Sequence, residues 1–298
     1  MTMTAHNVTR SQHTVSTSDG ASSTLDVFRS DNEQAPVFCC FPAMGVKATY
    51  YDSLAEALSA QGYHVVLTDL RGNGTSSVRA AKGVDFGYYE LVKMDWPAVH
   101  KQVIEMFPTQ LIFFLGHSLG GQLSCLYMGT EPSLRIDGCI LVASCSVYFQ
   151  NWPAPALLRV LFGTQFARGI ARFFGFFPGK QFGFGYREAR ALIRDWSHQA
   201  RTGIYKDLRG GVDFETPLRE VKTPLLAISF EGDELAPFAA VEHLINKLSK
   251  APKEHIHITT QETAGEQIDH FRWAKEPSHV LKHILAWVDE RVSSETEE

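Results

Sequence analysis

The stretch Leu111-Ile-Phe-Phe-Leu-Gly-His-Ser-Leu-Gly-Gly-Gln122 determines how the rest of the chain is interpreted. Its first five residues are apolar and are bounded by turn-forming residues, which indicates a short strand buried on both faces. The strand leads directly into a G-x-S-x-G pattern at 116–120, and a helical segment follows from Gln122 to Met128. A strand, a tight turn with a serine and a helix in this order are typical of a nucleophile elbow. We therefore predict that Ser118 is a nucleophile held in a strained turn.

Predicted strands and helices alternate on both sides of this stretch. The alternation predicts an α/β fold with a mostly parallel sheet of roughly eight strands and helices on both faces. Residues 1–12 are expected to be disordered. The next segments resemble an antiparallel hairpin at the sheet edge, because two β-prone runs flank Ser18-Asp-Gly20. The other predicted strands are 36–41, 64–68, 138–143, 224–229 and 255–259.

Residues 144–213 interrupt the alternation. The segment is rich in aromatic residues broken by glycines and prolines, and residues 144–200 hold seven lysines and arginines against only Glu188 and Asp195. We predict a helical cap inserted into a core formed by 1–143 and 214–298. Most of its aromatic residues are expected to pack the cap on the core, while some line a pocket above Ser118. Contact of this basic, aromatic surface with a membrane is the less favoured interpretation.

A serine needs a base to take its proton, and the base needs a carboxylate to orient it. Asp233 follows a predicted strand, and His270 lies in the loop after the last predicted strand. The order serine, acid, histidine along the chain is the one associated with this elbow. The alternative carboxylates are Glu231 and Asp269; Asp269 adjoins His270 and would have difficulty reaching back to its imidazole.

Attack on a carbonyl also needs donors for the developing oxyanion. We expect one from the backbone N–H of Leu119 and the other from Ala43 or Met44, in the loop after the first apolar strand. Pro42 has no N–H to donate. Four residues are candidates for substrate contact, namely His117, Trp152, Phe182 and Tyr186. For His117 a packing role is the alternative, because its side chain should point away from that of Ser118.

These motifs resemble the serine hydrolases of the α/β-hydrolase family over about 36–292. The resemblance rests on Phe41-Pro-Ala-Met-Gly45, Asp69-Leu-Arg-Gly-Asn-Gly74, the G-x-S-x-G pattern, Gly232-Asp233 with Pro237, and Asp269-His-Phe271. The chain is most similar to the predicted hydrolases with Pro-Ala-Met-Gly in the first loop. Many relatives have His-Gly in place of Phe41-Pro42 and a glycine in place of Asp269, so the oxyanion loop can differ in shape.

Composition excludes several classes of protein. A net charge of −5 without a basic run argues against a nucleic-acid partner. Residues 1–20 lack the pattern of a secretory signal, and no apolar run approaches the roughly 20 residues of a membrane helix. The five cysteines mostly lie in apolar runs, which favours buried thiols and a cytoplasmic location. The histidines at 255 and 257 have no third ligand nearby and are expected to be solvated, so we expect neither a metal nor an organic cofactor.

The resemblance implies hydrolysis of a carboxylic ester or thioester through an acyl-Ser118 intermediate. The expected partner is a small acyl substrate, and the oligomeric state is left open. An acyltransferase would use the same intermediate with another acceptor, and a non-catalytic binding protein could keep the fold and its pocket. The sequence alone does not separate hydrolase from transferase, because the cap's control of water access decides between them.

Overall fold

The computed structural model describes residues 6–131 and 135–295. Its strands are β1 (Val8–Ser16), β2 (Ser22–Ser30), β3 (Val37–Phe41), β4 (His64–Thr68), β5 (Ile112–His117), β6 (Gly138–Val142), β7 (Phe176–Phe177), β8 (Glu188–Ala189), β9 (Leu225–Phe230) and β10 (Lys253–Ile258). Its α-helices are α1 (Asp52–Ala60), α2 (Tyr88–Glu90), α3 (Trp96–Met106), α4 (Leu119–Thr130), α5 (Ala156–Phe174), α6 (Arg190–Thr202), α7 (Phe238–Ile245) and α8 (Ser278–Glu295). A π-helical turn, Leu91–Asp95, joins α2 to α3.

One eight-stranded sheet organises the core, in the order β1-β2-β4-β3-β5-β6-β9-β10. The strands from β4 to β10 run parallel, and β2 pairs antiparallel with both β1 and β4. Every residue of β3, β4, β5, β6 and β9 is buried. This matches their near-continuous apolar sequences, because helices cover both faces of such a sheet. The predicted α/β fold with about eight mostly parallel strands is therefore confirmed.

The predicted disorder of residues 1–12 is wrong for the part that the structure describes. Strand β1 begins at Val8, and Arg10 pairs in register with Phe28 of β2. Arg10 also forms ion pairs with Asp26 and Asp52. The polar sequence of β1 does not indicate a strand because most of its side chains are exposed on an edge, where backbone pairing rather than burial holds the strand. Residues 1–5 lie outside the described residues.

The segment predicted as a cap, 144–213 (the insertion), lies between β6 and β9 in the chain. Helices α5 and α6 pack against each other, and β7 pairs antiparallel with β8. The insertion is joined to the core by buried polar contacts, since Asp195 of α6 accepts a hydrogen bond from the backbone N–H of Tyr88 (3.3 Å). It also approaches the loop after β3 closely, because a Cβ on Gly45 would lie 2.3 Å from Cα of Gly185.

Two glycines let α4 start directly against the sheet. A Cβ on Gly116 would lie 2.3 Å from Cα of Gly121, and one on Gly120 would lie 2.3 Å from the carbonyl oxygen of Phe41. The atoms in the way are backbone atoms of the elbow and of the loop after β3, which have no flexible side chain to move aside. The G-x-S-x-G glycines are therefore required by packing.

We expect Gly120→Ala to lower the free energy of unfolding by about 1–3 kcal/mol, as overpacking of a close-packed interior does. The matched control is Gly169→Ala in the exposed part of α5, where a Cβ meets no atom within 4 Å. There alanine should raise the free energy of unfolding by about 0.5–1 kcal/mol, because it removes a helix-interior glycine. Urea denaturation measures both changes, and a Gly120→Ala protein as stable as the wild type would contradict the packing.

Candidate active site

Ser118 occupies the turn between β5 and α4. It is a non-glycine residue with φ 52° and ψ −117°, a strained conformation for a residue with a Cβ. Its backbone N–H donates to the carbonyl of Val142 (3.2 Å), and its own carbonyl accepts from the N–H of Gln122. The turn is therefore held on both sides, as predicted for a nucleophile elbow. The serine side chain lines a cavity at the carboxyl edge of the sheet.

Asp233 and His270 form a buried hydrogen bond, in which His270 Nδ1–H donates to Asp233 Oδ2 (2.9 Å). The second carboxylate oxygen accepts from the N–H groups of Leu235 (2.9 Å) and Ala236 (3.0 Å). Asp233 is 5% exposed and His270 is 6% exposed. Because Asp233 accepts the hydrogen bond from Nδ1–H, the tautomer that fits this network leaves Nε2 as an acceptor.

The two alternative carboxylates have other partners. Glu231 accepts from both the N–H and the hydroxyl of Thr260 (2.7 Å each). Asp269 Oδ1 accepts from the N–H groups of Phe271 (2.8 Å) and Arg272 (2.7 Å). Asp269 therefore fixes the backbone of the loop that carries His270, and neither carboxylate bonds to the imidazole.

One cavity of about 510 Å³ brings the predicted residues together, and we call it the serine cavity. Ser118 and His270 line it together with Leu119, Ala43 and Met44. The predicted contact residues Trp152 and Phe182 also line it. Most of its remaining wall is apolar and comes from the insertion, including Val160, Phe166, Ala167, Phe177, Phe184 and Trp196.

Two predicted contact residues lie outside the lining of the serine cavity. Tyr186 lines a neighbouring cavity instead. His117 is fully buried beneath the elbow, and its Nδ1 accepts a hydrogen bond from the hydroxyl of Tyr51 (2.6 Å). Burial, together with the nearby His270 imidazole, holds the pKa of His117 well below its usual range, so the ring is neutral. The packing role considered for His117 is therefore the one that agrees with its position.

Tyr51, for which no role is predicted from the sequence, connects the elbow to the loop after β3. Its hydroxyl accepts the backbone N–H of Ala43 (3.0 Å) while it donates to His117. Burial raises the pKa of Tyr51, which keeps the hydroxyl protonated. Only a tertiary contact identifies this residue, because nothing in its local sequence differs from an ordinary position before a helix.

The hydrogen bond to Tyr51 separates the two alternatives for the second oxyanion donor. The N–H of Ala43 is already occupied, whereas the N–H of Met44 has no acceptor within 6–131 and 135–295. Leu119 is the first residue of α4, so its N–H has no intrahelical acceptor. The free donors beside Ser118 are thus those of Leu119 and Met44.

The histidines of β10 are not solvated as predicted. Ser229 faces His257 across the β9–β10 register, and its hydroxyl is hydrogen-bonded to His257 (2.7 Å) and His255 (2.8 Å). His255 also contacts Glu242 (2.5 Å), so a second serine–histidine–carboxylate arrangement exists. Ser229 is fully buried on β9, the strand next to the edge strand β10, so its hydroxyl is not accessible to a substrate.

No group of three or more histidine, cysteine, aspartate or glutamate side chains within 6–131 and 135–295 could hold a metal ion. None of the helices in the described part of the chain is both long and apolar enough to cross a bilayer. The five cysteines are all buried and unpaired.

Comparisons with known proteins agree with this architecture. Residues 36–244 match the model of the α/β hydrolase fold family. The chain is 25% identical over 242 residues to a bifunctional esterase/perhydrolase of Acinetobacter calcoaceticus, covering 75% of this chain and 83% of the relative. It is 33% identical over 95 residues to the phospholipase YtpA of Bacillus subtilis, covering 32% and 35% of the two chains. A carboxyl esterase structure from Bacillus coagulans superimposes with a TM-score of 0.69 at 14% identity, covering 96% of this chain and all of the other.

The hydrogen bond between Asp233 and His270 should control the reactivity of Ser118. We expect a fluorophosphonate probe to label Ser118 in the wild type, and Asp233→Asn to slow labelling by roughly 10²-fold or more, because an amide can hold the imidazole in the wrong tautomer. Glu231→Gln and Asp269→Asn are the matched controls, and an asparagine at 269 can still accept the two backbone N–H groups. A larger loss of labelling rate in either control than in Asp233→Asn would show that the wrong carboxylate has been chosen.

Proposed function

Because the chain belongs to the α/β-hydrolase family, we propose that it is a serine hydrolase that cleaves carboxylic esters or thioesters through an acyl-Ser118 intermediate. The observation that carries the proposal is the Asp233–His270 hydrogen bond beside the cavity that Ser118 lines. The esterase names of two relatives support the same reaction class. The fold alone would not, since it supports many chemistries.

In the proposed mechanism Ser118 Oγ attacks the carbonyl carbon while its proton passes to His270 Nε2. The carbonyl π electrons move to the oxygen, which becomes the oxyanion of a tetrahedral intermediate. When the intermediate collapses, His270 gives the proton to the departing alcohol or thiol, and the acyl group stays on Ser118. Water then attacks the acyl-serine with His270 again as base, and the acid leaves. Asp233 keeps the imidazole oriented and stabilises it while it is positively charged.

The oxyanion would be bound by the N–H groups of Leu119 and Met44. This assignment follows from the free donors beside the serine, and it leaves Tyr51 with a positioning role. By accepting the N–H of Ala43 and donating to His117, Tyr51 ties the oxyanion loop to the strand that carries the nucleophile. The assignment depends on the backbone position of Met44 and not on its side chain.

The insertion is proposed to act as a cap that supplies the acyl pocket. The apolar wall of the serine cavity supports an aliphatic acyl group, since each buried methylene contributes about 0.8 kcal/mol. Transfer of the acyl group to an acceptor other than water stays an alternative, which the relative named as both esterase and perhydrolase supports. A non-catalytic binding protein is the other alternative. Labelling of Ser118 by the fluorophosphonate probe would argue against it, and absence of labelling would favour it.

The outer face of α5 is unusually apolar for an exposed surface. Phe162, Phe166 and Phe173 are 66%, 61% and 83% exposed. Phe166 also lines the serine cavity, so this surface continues into the pocket wall. Contact of the insertion with a membrane therefore stays a prediction, and absence of cosedimentation with phospholipid vesicles would contradict it.

Ser118→Ala should abolish turnover of p-nitrophenyl butyrate, because it removes the atom that forms the covalent intermediate. Its thermal midpoint should stay near that of the wild type, since only one hydroxyl in a half-buried turn is lost. The matched control is Ser229→Ala, which removes the buried serine of the second serine–histidine–carboxylate arrangement and should keep activity in the folded protein. More than a tenth of wild-type activity in Ser118→Ala would contradict the assignment.

Acyl-chain preference should follow from the shape of the serine cavity. We expect kcat/KM to rise from acetyl to butyryl to octanoyl p-nitrophenyl esters until the pocket is full, by at most roughly fourfold per methylene. Gly163 of α5 lines the cavity with open space beyond its Cα, so Gly163→Phe should lower kcat/KM for the octanoyl ester far more than for the acetyl ester.

Gly169→Phe is the control for this substitution, because Gly169 lies on the same helix with equal open space but does not line the cavity. It should leave the chain-length profile unchanged. A flat profile in the wild type, or an equal change in both variants, would argue against an acyl pocket in this cavity.

A further inference from the structure

A second cavity, of about 490 Å³, lies where the loops after β3 and β4 meet the insertion, and we call it the basic cavity. Four cationic side chains line it and no carboxylate does. From the core come Lys47, Gly72, Asn73, Gly74 and Arg79, and from the insertion come Pro178, Lys180, Gln181, Tyr186 and Arg187. In a chain with a net charge of −5, four cations without an acidic neighbour in the wall make an uncommon concentration of positive charge.

The charges of the basic cavity are not neutralised by ion pairs. The side-chain ammonium groups of Lys47 and Lys180 form no hydrogen bond or ion pair with any residue in 6–131 or 135–295, and both residues bond through their backbone only. Arg187 stacks its guanidinium on the ring of Phe176, at 4.9 Å from the ring centre. Arg79 donates to carbonyl oxygens only, namely those of Ser76, Val78 and Gly74.

Two arginines of the insertion that lie outside this cavity are neutralised by ion pairs. Arg190 pairs with Asp85 (3.0 Å), and Arg194 pairs with Asp195 (3.1 Å). In the sequence these two arginines and Arg187 are equivalent members of one basic segment. The structure distinguishes them, because Arg187 alone among the three lines the basic cavity.

Two carboxylates lie behind the backbone of the cavity wall, and both accept hydrogen bonds from backbone N–H groups. Asp69 accepts from the N–H groups of Ala48 and Thr75 (2.8 Å each). Glu188 accepts the N–H of Tyr186 (3.1 Å), and burial raises its pKa to about 7, so a substantial fraction is uncharged at neutral pH. Neither carboxylate forms an ion pair with a cation of the cavity.

An unpartnered amide lies in the wall among these cations. Asn73 is 4% exposed, and its side-chain amide makes no hydrogen bond with any residue that the structure describes. The amide atoms are not fully buried, so water or a ligand in the cavity can complete their hydrogen bonds. Asn73 belongs to the Gly72-Asn-Gly74 loop, which as a sequence motif is too short to indicate a phosphate site. Its position beside four cations is an independent observation that favours an anion site at this loop.

The basic cavity adjoins the serine cavity through the two segments that form both walls. Met44 lines the serine cavity and Lys47 lines the basic cavity, and three peptide units keep their Cα atoms within about 11 Å. In the insertion, Phe182 and Gln181 are consecutive and line the serine and the basic cavity respectively. The two cavities are therefore neighbours, and the close contact between Gly45 and Gly185 lies between their walls.

We infer that the basic cavity binds a phosphate-ester group of the acylated substrate while the acyl group lies in the serine cavity. The inference rests on the proposed hydrolase function for the position of the acyl group, but the anion site itself does not. A phosphate monoester carries about −1.5 to −2 charges at neutral pH and has three acceptor oxygens, which suits several cations and one amide N–H₂. A carboxylate carries one charge and would leave most of these donors unused.

The test compares two esters that differ only in the distal group, 6-(phosphonooxy)hexyl butyrate and 6-methoxyhexyl butyrate, by pH-stat. The phosphorylated ester should have the higher kcat/KM, and this preference should shrink by roughly fivefold in each of Lys180→Ala and Arg187→Ala, about the worth of one charge-assisted hydrogen bond. Arg172→Ala is the matched control, because Arg172 is an exposed arginine of the same insertion that does not line the basic cavity. Equal kcat/KM for the two esters, or an equal effect of all three variants, would overturn the inference.

Binding measured without turnover separates the two proposals. Titration calorimetry of the Ser118→Ala protein with n-hexyl phosphate at low salt should show saturable binding that Lys180→Ala/Arg187→Ala weakens at least tenfold, and n-hexanol should show none. Such binding, together with a wild-type protein that hydrolyses no ester, would keep the anion site and reject the hydrolase. Hydrolysis of esters without phosphate binding would reject the anion site and keep the hydrolase.

The phosphate could belong to a soluble ester or to a lipid headgroup, and a second substrate pair distinguishes these sources. Dioleoyl phosphatidic acid and dioleoylglycerol, each in neutral detergent micelles, differ in the phosphate alone. A preference that depends on Lys180 and Arg187 in the soluble pair only supports a small phosphoester, and one in the micellar pair only supports a phospholipid. Absence of such a preference in both pairs contradicts the inference.

Discussion

The site depends on the close approach of backbone to backbone at the elbow. Gly116 contacts Gly121, and Gly120 contacts the carbonyl of Phe41, at distances that exclude a Cβ. This contact brings the start of α4 against the end of β3, so that the N–H of Leu119 lies beside the loop that holds Met44. It also confines Ser118 to a backbone conformation that a side chain rarely adopts. The surrounding parallel strands, buried along their whole length, supply the rigidity that maintains this conformation.

Around this contact, polar groups hold two loops that have no regular structure. Tyr51 links the N–H of Ala43 to His117, and so fixes the loop after β3 to the strand that ends at Ser118. Asp269 caps the backbone after His270, while Asp233 uses one oxygen for the imidazole and the other for its own loop. Each of these groups is buried or hydrogen-bonded in full, because an unpaired polar group at these depths would destabilise the fold. His117 Nε2 is the exception beneath the elbow, where it is buried without a hydrogen-bond partner among the described residues.

The features that can be predicted from the sequence are those that a motif or the order of residues along the chain indicates. The elbow, the alternation of strands and helices, and the pairing of Asp233 with His270 follow from motifs and chain order. The features that cannot be predicted are those that depend on contacts between residues far apart along the chain. The role of Tyr51 depends on atoms eight and 66 residues away along the chain, and His255 and His257 are half-buried because the β9–β10 register places Ser229 between them. The sequence likewise does not show which arginines of the insertion meet a carboxylate, since Arg190 and Arg187 differ only in what the fold brings near them.

The central claim is that Ser118 carries the acyl group during turnover. Mixing the protein with p-nitrophenyl butyrate, quenching in acid within one turnover and measuring the intact mass tests this directly. The account predicts a species heavier by one butyryl group, with the added mass on the peptide that contains Ser118, and its absence from Ser118→Ala. Release of p-nitrophenol at the wild-type rate from Ser118→Ala, or a butyryl group found on another residue, would contradict it.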